Sequence, residues 1–205
     1  MKVIVIGVDQ SYQRTGVSVV IDGQLMMVSS IGYAGLETKT EKRNLTRARI
    51  EELCRKLSET FCESDTQRVL VLERTRQFSD GFLSVPYIKS MGALNASIID
   101  VATSFGFSCW SVDTRAWKSG VVGTSKPLDN PYGINPKKWP TILWLINRHP
   151  EFKHDVMVEA SKRAKKGVLS TKSGKRFLVN DDACDSAAIA MSWSLCSPDK
   201  FMAEE

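Results

Sequence analysis

Val3-Ile4-Val5-Ile6-Gly7-Val8-Asp9 decides the fold. An unbroken apolar run of this length, with no polar alternation, suits a central strand covered on both faces. The acid that closes it is costly to bury unless a cation or hydrogen-bond donors meet it. With Met1-Lys2 in front, the run is too short for a signal-peptide core and has no small-residue cleavage site, so residues 2–9 read as a strand. A turn through Ser11, Tyr12, Gln13 and Arg14 follows. Residues 16–21 and 25–31 form two further strands joined by Asp22-Gly23, a strong hairpin signal. The opening is therefore an antiparallel meander of three strands.

Beyond the meander the period changes. Residues 38–62 place Leu45, Ala48, Ile50, Leu53, Leu57 and Phe61 at helical spacing among many charges. A fourth strand, 67–73, repeats the opening pattern: Val69-Leu70-Val71-Leu72 ends in Glu73. A connection containing Phe78, Phe82 and Pro86 leads into a helix over 86–104, whose small residues Gly92, Ala93, Ala96 and Ser97 permit close approach of another helix. Strand five is 107–112, and Asp113-Thr114 caps a short turn through Trp117. Residues 121–133 read as a Gly/Pro-rich loop, 136–148 as a helix, and 182–196 as the last helix. This βββ-α-β-α-β-α-α order is that of the ribonuclease H-like fold. The fold class is α/β, with a mixed five-stranded sheet, three antiparallel then parallel strands, flanked by helices.

Four carboxylates carry the chemistry: Asp9 and Glu73 at strand ends, Asp182 and Asp185 at the start of the last helix. Active sites of open α/β sheets gather at strand ends. Asp182 and Asp185, three apart on a helix, can face the same ion. Mg²⁺-type cations take oxygen ligands, and phosphoryl transfer can use two of them about 4 Å apart. Structural roles compete with this reading. Asp9 can pair with a buried lysine, Glu73 with Arg74 or Arg76, and the helix acids can serve as caps, with Asp181 exchanging roles with Asp182.

Bulk properties narrow the class. A chain of 205 residues with 42% hydrophobic and 25% charged content is that of one globular α/β domain spanning 1–205. No apolar stretch reaches the ~18 residues of a membrane helix. The five cysteines are scattered with no Cys-x-x-Cys pair, and two histidines are few for zinc, so reduced thiols in a cytoplasmic protein are expected. Residues 153–176 hold eight Lys and Arg against two acids, a segment charge of +6, which leaves the rest of a +5 chain at −1. Such a basic insertion, about 153–180, points to a polyanion, most simply a nucleic-acid backbone. Its competing reading is a solvated loop.

Three stretches together resemble the RuvC family of Holliday junction resolvases. Ile6-Gly7-Val8-Asp9-Gln10-Ser11-Tyr12-Gln13-Arg14-Thr15-Gly16 is similar to that family's opening strand, aspartate and Thr-Gly hairpin; Leu72-Glu73 resembles its strand-four glutamate. Asp182-Ala183-Cys184-Asp185, before a small-residue helix, resembles its closing Asp-x-x-Asp. Ala116-Trp117-Lys118-Ser119-Gly120 resembles a segment presenting a phosphate-side lysine, and Lys137-Lys138 a second one. The resemblance implies that Asp9, Glu73, Asp182 and Asp185 are catalytic and hold two Mg²⁺ (Mn²⁺ substituting). It further implies a homodimer acting on branched DNA, four-way junctions with flaps and forks beside them, in a bacterial cell or phage-infected host. Lys118, Lys137, Lys138, Phe78, Lys162, Arg163, Lys165 and Lys166 are the expected DNA contacts. The basic insertion, and Arg76 where the family places an aromatic, fit a phage-type or divergent member.

Three rivals stand beside this reading. Ribonuclease H proper would take its glutamate from the first helix, at Glu51 or Glu52. A sugar-kinase or chaperone-type ATPase would need a chain about twice as long with Gly-rich phosphate loops. A junction-binding protein without activity would not need all four acids.

Overall fold

The computed structural model describes residues 1–74, 84–124, 137–159, 168–170 and 176–204. Strands β1 (Val3–Asp9), β2 (Arg14–Ile21) and β3 (Gln24–Gly32) form the meander. Helix α1 (Lys39–Thr60), β4 (Gln67–Glu73), α2 (Val85–Ser104) and β5 (Ser108–Val112) follow. A short helix α3 (Thr114–Trp117) runs into a π-helical turn, Lys118–Val122. Next come α4 (Trp139–Arg148) and α5 (Lys153–Val156), then the short strands β6 (Met157–Glu159), β7 (Val168–Ser170) and β8 (Arg176–Val179). Helix α6 (Asp181–Leu195) and strand β9 (Phe201–Ala203) come last.

The main sheet has the order β3-β2-β1-β4-β5-β9. Its first three strands are antiparallel, β1-β4-β5 are parallel, and β9 is antiparallel to β5. The mixed sheet is as expected, but it has six strands where five were expected, because β9 adds an edge. The basic region, expected as a hairpin or loop, contains a second antiparallel sheet of order β6-β8-β7, and Val121 belongs to the π-helical turn where a loop was expected. Among the described residues no helix is long and apolar enough to cross a membrane, and all five cysteines are free thiols.

Strand parity sorts the core. Ile4, Ile6 and Val8 of β1 join Leu70 and Leu72 of β4 under α1 and α2. Val5, Val69 and Val71 pack on the other face, against α4 and α6. Full burial of each such aliphatic side chain contributes roughly 1.5–3 kcal/mol. Asp9 and Glu73 share the parity of Val5 and Val71, so they emerge on the α6 face.

Helix α6 lies unusually close to that face. A Cβ on Gly7 would stand 2.3 Å from the Ser186 carbonyl oxygen, and one on Gly16 1.9 Å from that of Asp182. Ser18 Oγ and Ser186 Oγ, 2.7 Å apart, share a hydrogen bond across the contact. Ala187, Ala188 and Ala190 supply the small, fully buried helix surface that such an approach needs. Two strand glycines, each weakening its strand by roughly 0.5–1 kcal/mol relative to alanine, thus set the height of the helix that carries two acids.

Candidate active site

Asp9 and Glu73 end adjacent parallel strands, one residue beyond the Val8–Leu72 pair. Gln10 stitches these ends together, its side-chain Nε2 donating to the Glu73 carbonyl oxygen. Thr114, at the start of α3, donates its hydroxyl to Glu73 Oε1. Above them, α6 begins at Asp181, capped by Asn180, whose Oδ1 accepts from the Ala183 N–H at 3.4 Å. Asp182 and Asp185 follow on the face that meets β1 and β2.

Burial and mutual repulsion dominate the electrostatics. Asp9 is 9% exposed and Asp185 5%. Burial pushes the Asp9 carboxyl well above the usual range; Glu73, Asp185 and Asp182 push it further, while Lys138 opposes them. Burial also raises Asp185, against the pull of Lys138 and Lys118. Asp182 is pushed up to about 6, first by burial and then by Asp181, with Lys138 and Arg14 opposing. The four acids therefore act on one another as a group.

Lys138 sits among them. Its Nζ is 2.9 Å from Asp181, 3.2 Å from Asp185 and 4.0 Å from Asp182. Burial pulls this ammonium down, but Asp185 and Asp181 outweigh it and hold it firmly charged. Lys118 donates to the Lys137 carbonyl oxygen at 3.4 Å, lies 5.0 Å from the Trp117 ring centroid, and its charge reaches Asp185.

The donor chemistry fits a hard divalent cation. Every acid offers carboxylate oxygen, and buried Asp185 Oδ1 has no hydrogen-bond partner. Among the described residues no three Asp, Glu, His or Cys side chains are gathered into a group that could hold a metal ion. Lys138 provides the positive charge in this arrangement.

No protein-family model matches the sequence, and no curated protein is a significant match. Solved structures are similar. Thermus thermophilus RuvC in complex with a Holliday junction substrate superimposes with a TM-score of 0.57 at 13% identity, covering 94% of this chain and 92% of that one. A second Thermus thermophilus RuvC structure gives 0.56 at 14%, covering 93% of each chain.

The fold is that of RuvC.

On this RuvC fold, Asp9, Glu73, Asp182 and Asp185 lie close enough to act on one another's charge, without gathering, among the described residues, into a group that could hold a metal ion. Lys118 and Lys138 border or enter it, and Lys137 is exposed beside them. Phe78, Lys162, Arg163, Lys165 and Lys166 lie outside the described residues. Sequence reasoning missed Gln10, Thr114 and Arg14. Gln10 follows Asp9 directly, and that adjacency was its one sequence signal. Arg14 reaches Asn180 Oδ1 at 3.4 Å and draws Asp182 downward, a contact between residues 166 apart that nothing in the sequence announces.

Proposed function

We propose that this chain is a structure-selective endonuclease that hydrolyses phosphodiesters in branched DNA, with four-way junctions as the principal substrate and flaps and forks beside them. One observation carries the reading: on a RuvC fold, two acids at adjacent parallel strand ends face two acids on a helix packed directly above them. The solved relative bound to a Holliday junction supports the substrate class. Residues 1–205 would form one nuclease domain, with the basic insertion as an added DNA-backbone clamp through Lys162, Arg163, Lys165 and Lys166.

Asp9, Glu73, Asp182 and Asp185 would hold Mg²⁺, with Mn²⁺ as a substitute. Bound there, two such ions would supply charge stabilisation to the scissile phosphate and an activated water, leaving 5′-phosphate and 3′-hydroxyl ends. The chain's own part is placement. β1 and β4 fix two carboxylates in register, Gln10 ties their ends, and Thr114 orients Glu73. Lys138, which Asp181 and Asp185 hold at the site, would meet a substrate phosphate, with Lys118 and Lys137 beside it.

Ribonuclease H chemistry is less well supported. Glu52, one of the two acids available for it on α1, is held at 3.2 Å by Arg49 and at 2.7 Å by Lys56. A homodimer suits a junction with two symmetric strands to cut. Its candidate contact is α2, where Val85 is 53% exposed and a Cβ on Gly92 would meet nothing within 4 Å. The deciding experiment is Mg²⁺-dependent cleavage of a synthetic four-way junction beside linear duplex, flap, fork and RNA–DNA hybrid. Preferential cutting of the junction is expected. Preference for the hybrid would move the assignment to ribonuclease H, and binding without cutting would leave a junction-binding protein.

A further inference from the structure

Helix α1 begins with charges in the wrong order for its own stability. Lys39, Lys42 and Arg43 stand in its first turns, where the macrodipole is positive and acids are favoured. The one acid there, Glu41, is engaged with Thr38 in a capping box that satisfies the helix N–H groups, accepting from the Thr38 N–H at 2.9 Å. Further along the same helix the cations are paired: Arg47 with Asp100, Arg49 and Lys56 with Glu52, Arg55 with Glu59. Among the described residues, Lys39, Lys42 and Arg43 form no such ion pair.

Two of them are held against aromatic rings. Lys39 Nζ lies 5.5 Å from the Tyr12 ring centroid and Lys42 Nζ 5.9 Å from that of Tyr33. Tyr12 donates its hydroxyl to the Ser90 carbonyl oxygen at 2.8 Å, and Lys39 donates to Ser90 Oγ at 2.8 Å. The start of α1, the start of α2 and the turn after β1 are thereby tied into one surface. Tyr12 is three residues beyond Asp9, and three residues span at most about 11 Å. With one phosphate per ~3.4 Å of each strand along the duplex axis, that surface stands within about three nucleotides of a phosphate at Asp9.

We propose that Lys39 and Lys42, positioned by Tyr12 and Tyr33, form with the neighbouring Arg43 a phosphate-backbone site for the DNA arm that leads into the acid cluster. The site rests on the nuclease reading above and adds a second contact surface, separate from the basic insertion. Three cations that repel one another and the helix dipole are relieved together by phosphates, which supply the missing counter-charge. No base edge is read, so the contact is independent of sequence.

The test uses the full chain carrying Asp9→Asn, to uncouple binding from cutting, with a labelled four-way junction and a linear duplex between 50 and 200 mM salt. The triple variant Lys39→Ala, Lys42→Ala, Arg43→Ala removes up to three phosphate contacts. The slope of log affinity against log salt should fall by up to about 2.7, shrinking the parent's advantage about 40-fold across that range. Its melting temperature should hold or rise, because cations leave a positive helix end. The charge-preserving variant Lys39→Arg, Lys42→Arg, Arg43→Lys should keep the slope, as should Arg55→Ala with Lys56→Ala at the paired end of the helix. A parental slope in the triple alanine variant overturns the proposal, and so does an equal loss in either control. Failure of the parent to bind either DNA would instead remove the nuclease reading on which the proposal rests.

Discussion

Replacing Gly16 by alanine should damage cleavage far more than it damages the fold. The added Cβ would stand 1.9 Å from the Asp182 carbonyl oxygen and 2.5 Å from its carbonyl carbon, both backbone atoms that no rotamer change can move. Ordinary van der Waals contact needs about 3.5 Å, so the first turn of α6 must withdraw by on the order of 1 Å. Overpacking of this kind costs roughly 1–3 kcal/mol, or about 2–12 °C in melting temperature for a chain of this size. The catalytic cost is larger, because the withdrawn turn carries Asp182 and Asp185 while Asp9 and Glu73 stay on the sheet. A 1 Å misplacement in a catalytic group costs about 10²-fold. Single-turnover cleavage of a four-way junction at saturating protein, beside a thermal melt, measures both. Gly32→Ala is the control, since a Cβ there meets nothing within 4 Å, and it should change neither. Cleavage by Gly16→Ala within threefold of the parent, with the melt lowered as expected, would show that close approach of α6 does not set the site.

Asp9→Asn should abolish cleavage while leaving junction binding intact or improved, and should raise the melting temperature in chelator by relieving the buried repulsion; turnover within tenfold of the parent would remove Asp9 from the site. Lys138→Met should destabilise the protein in chelator by roughly 1–3 kcal/mol, reduced from the fully buried case because the side chain is 33% exposed, and Mg²⁺ should close the gap if it replaces the ammonium. Asp182, with its carboxyl at about 6 in the fold against ~3.9 unfolded, binds its proton more tightly when folded. Metal-free stability should therefore be greatest below about pH 4 on this account and fall by at most ~3 kcal/mol as pH rises to about 6; chemical denaturation across that range should lose this component in Asp182→Asn. Ala96→Arg, on the exposed face of α2, should convert a dimer to a monomer in sedimentation at micromolar concentration, and a parent that is already monomeric while nicking both strands would reject the dimer.

The strands that carry Asp9 and Glu73 were legible because a charge ending a fully apolar run conflicts with burial unless something meets it. The helix acids were legible through their spacing ahead of alanines. What escaped the sequence was short or distant. Strand β9 has three residues, too few for any periodicity, and is held by tertiary contacts such as Phe201 against Trp193 at 4.9 Å between ring centroids. Strands β6, β7 and β8 are equally short and are hidden in a segment whose charge dominates its pattern. Lys138 was legible only as a phosphate-side lysine, since nothing local shows that it meets Asp185, 47 residues away. Charge counting along the chain likewise assigns the positive excess to residues 153–176, while Glu41 partly cancels the cations at the start of α1 in any linear sum. Only spatial pairing reveals that Glu41 is committed to a cap.

The two faces of the sheet divide stability from chemistry. Under α1 and α2 the packing follows ordinary rules: Ile4, Ile6, Leu70, Leu72, Leu94 and Ile98 are fully buried and apolar. On the α6 face, local rules are broken at several neighbouring points. Glycines replace side chains in strand interiors at Gly7 and Gly16, Asp9 and Asp185 are buried carboxylates that repel one another with Lys138 opposing, and Asp185 Oδ1 lacks a partner. Selection for stability alone would place a neutral residue at Asp185 and would not require the close helix approach that Gly7 and Gly16 admit. Each departure also constrains the next, because the glycines admit the helix and the helix delivers the acids. Such violations are expected where a site is built. Their confinement to one end of one face, with a conventional core opposite, means that the acids can be exchanged for their amides without threatening the fold. Amide variants of Asp9 and Asp185 should accordingly fold at least as well as the parent, whereas Gly7→Ala, which forces a Cβ to 2.3 Å from Ser186 and 2.4 Å from Ala190, should cost more stability than either.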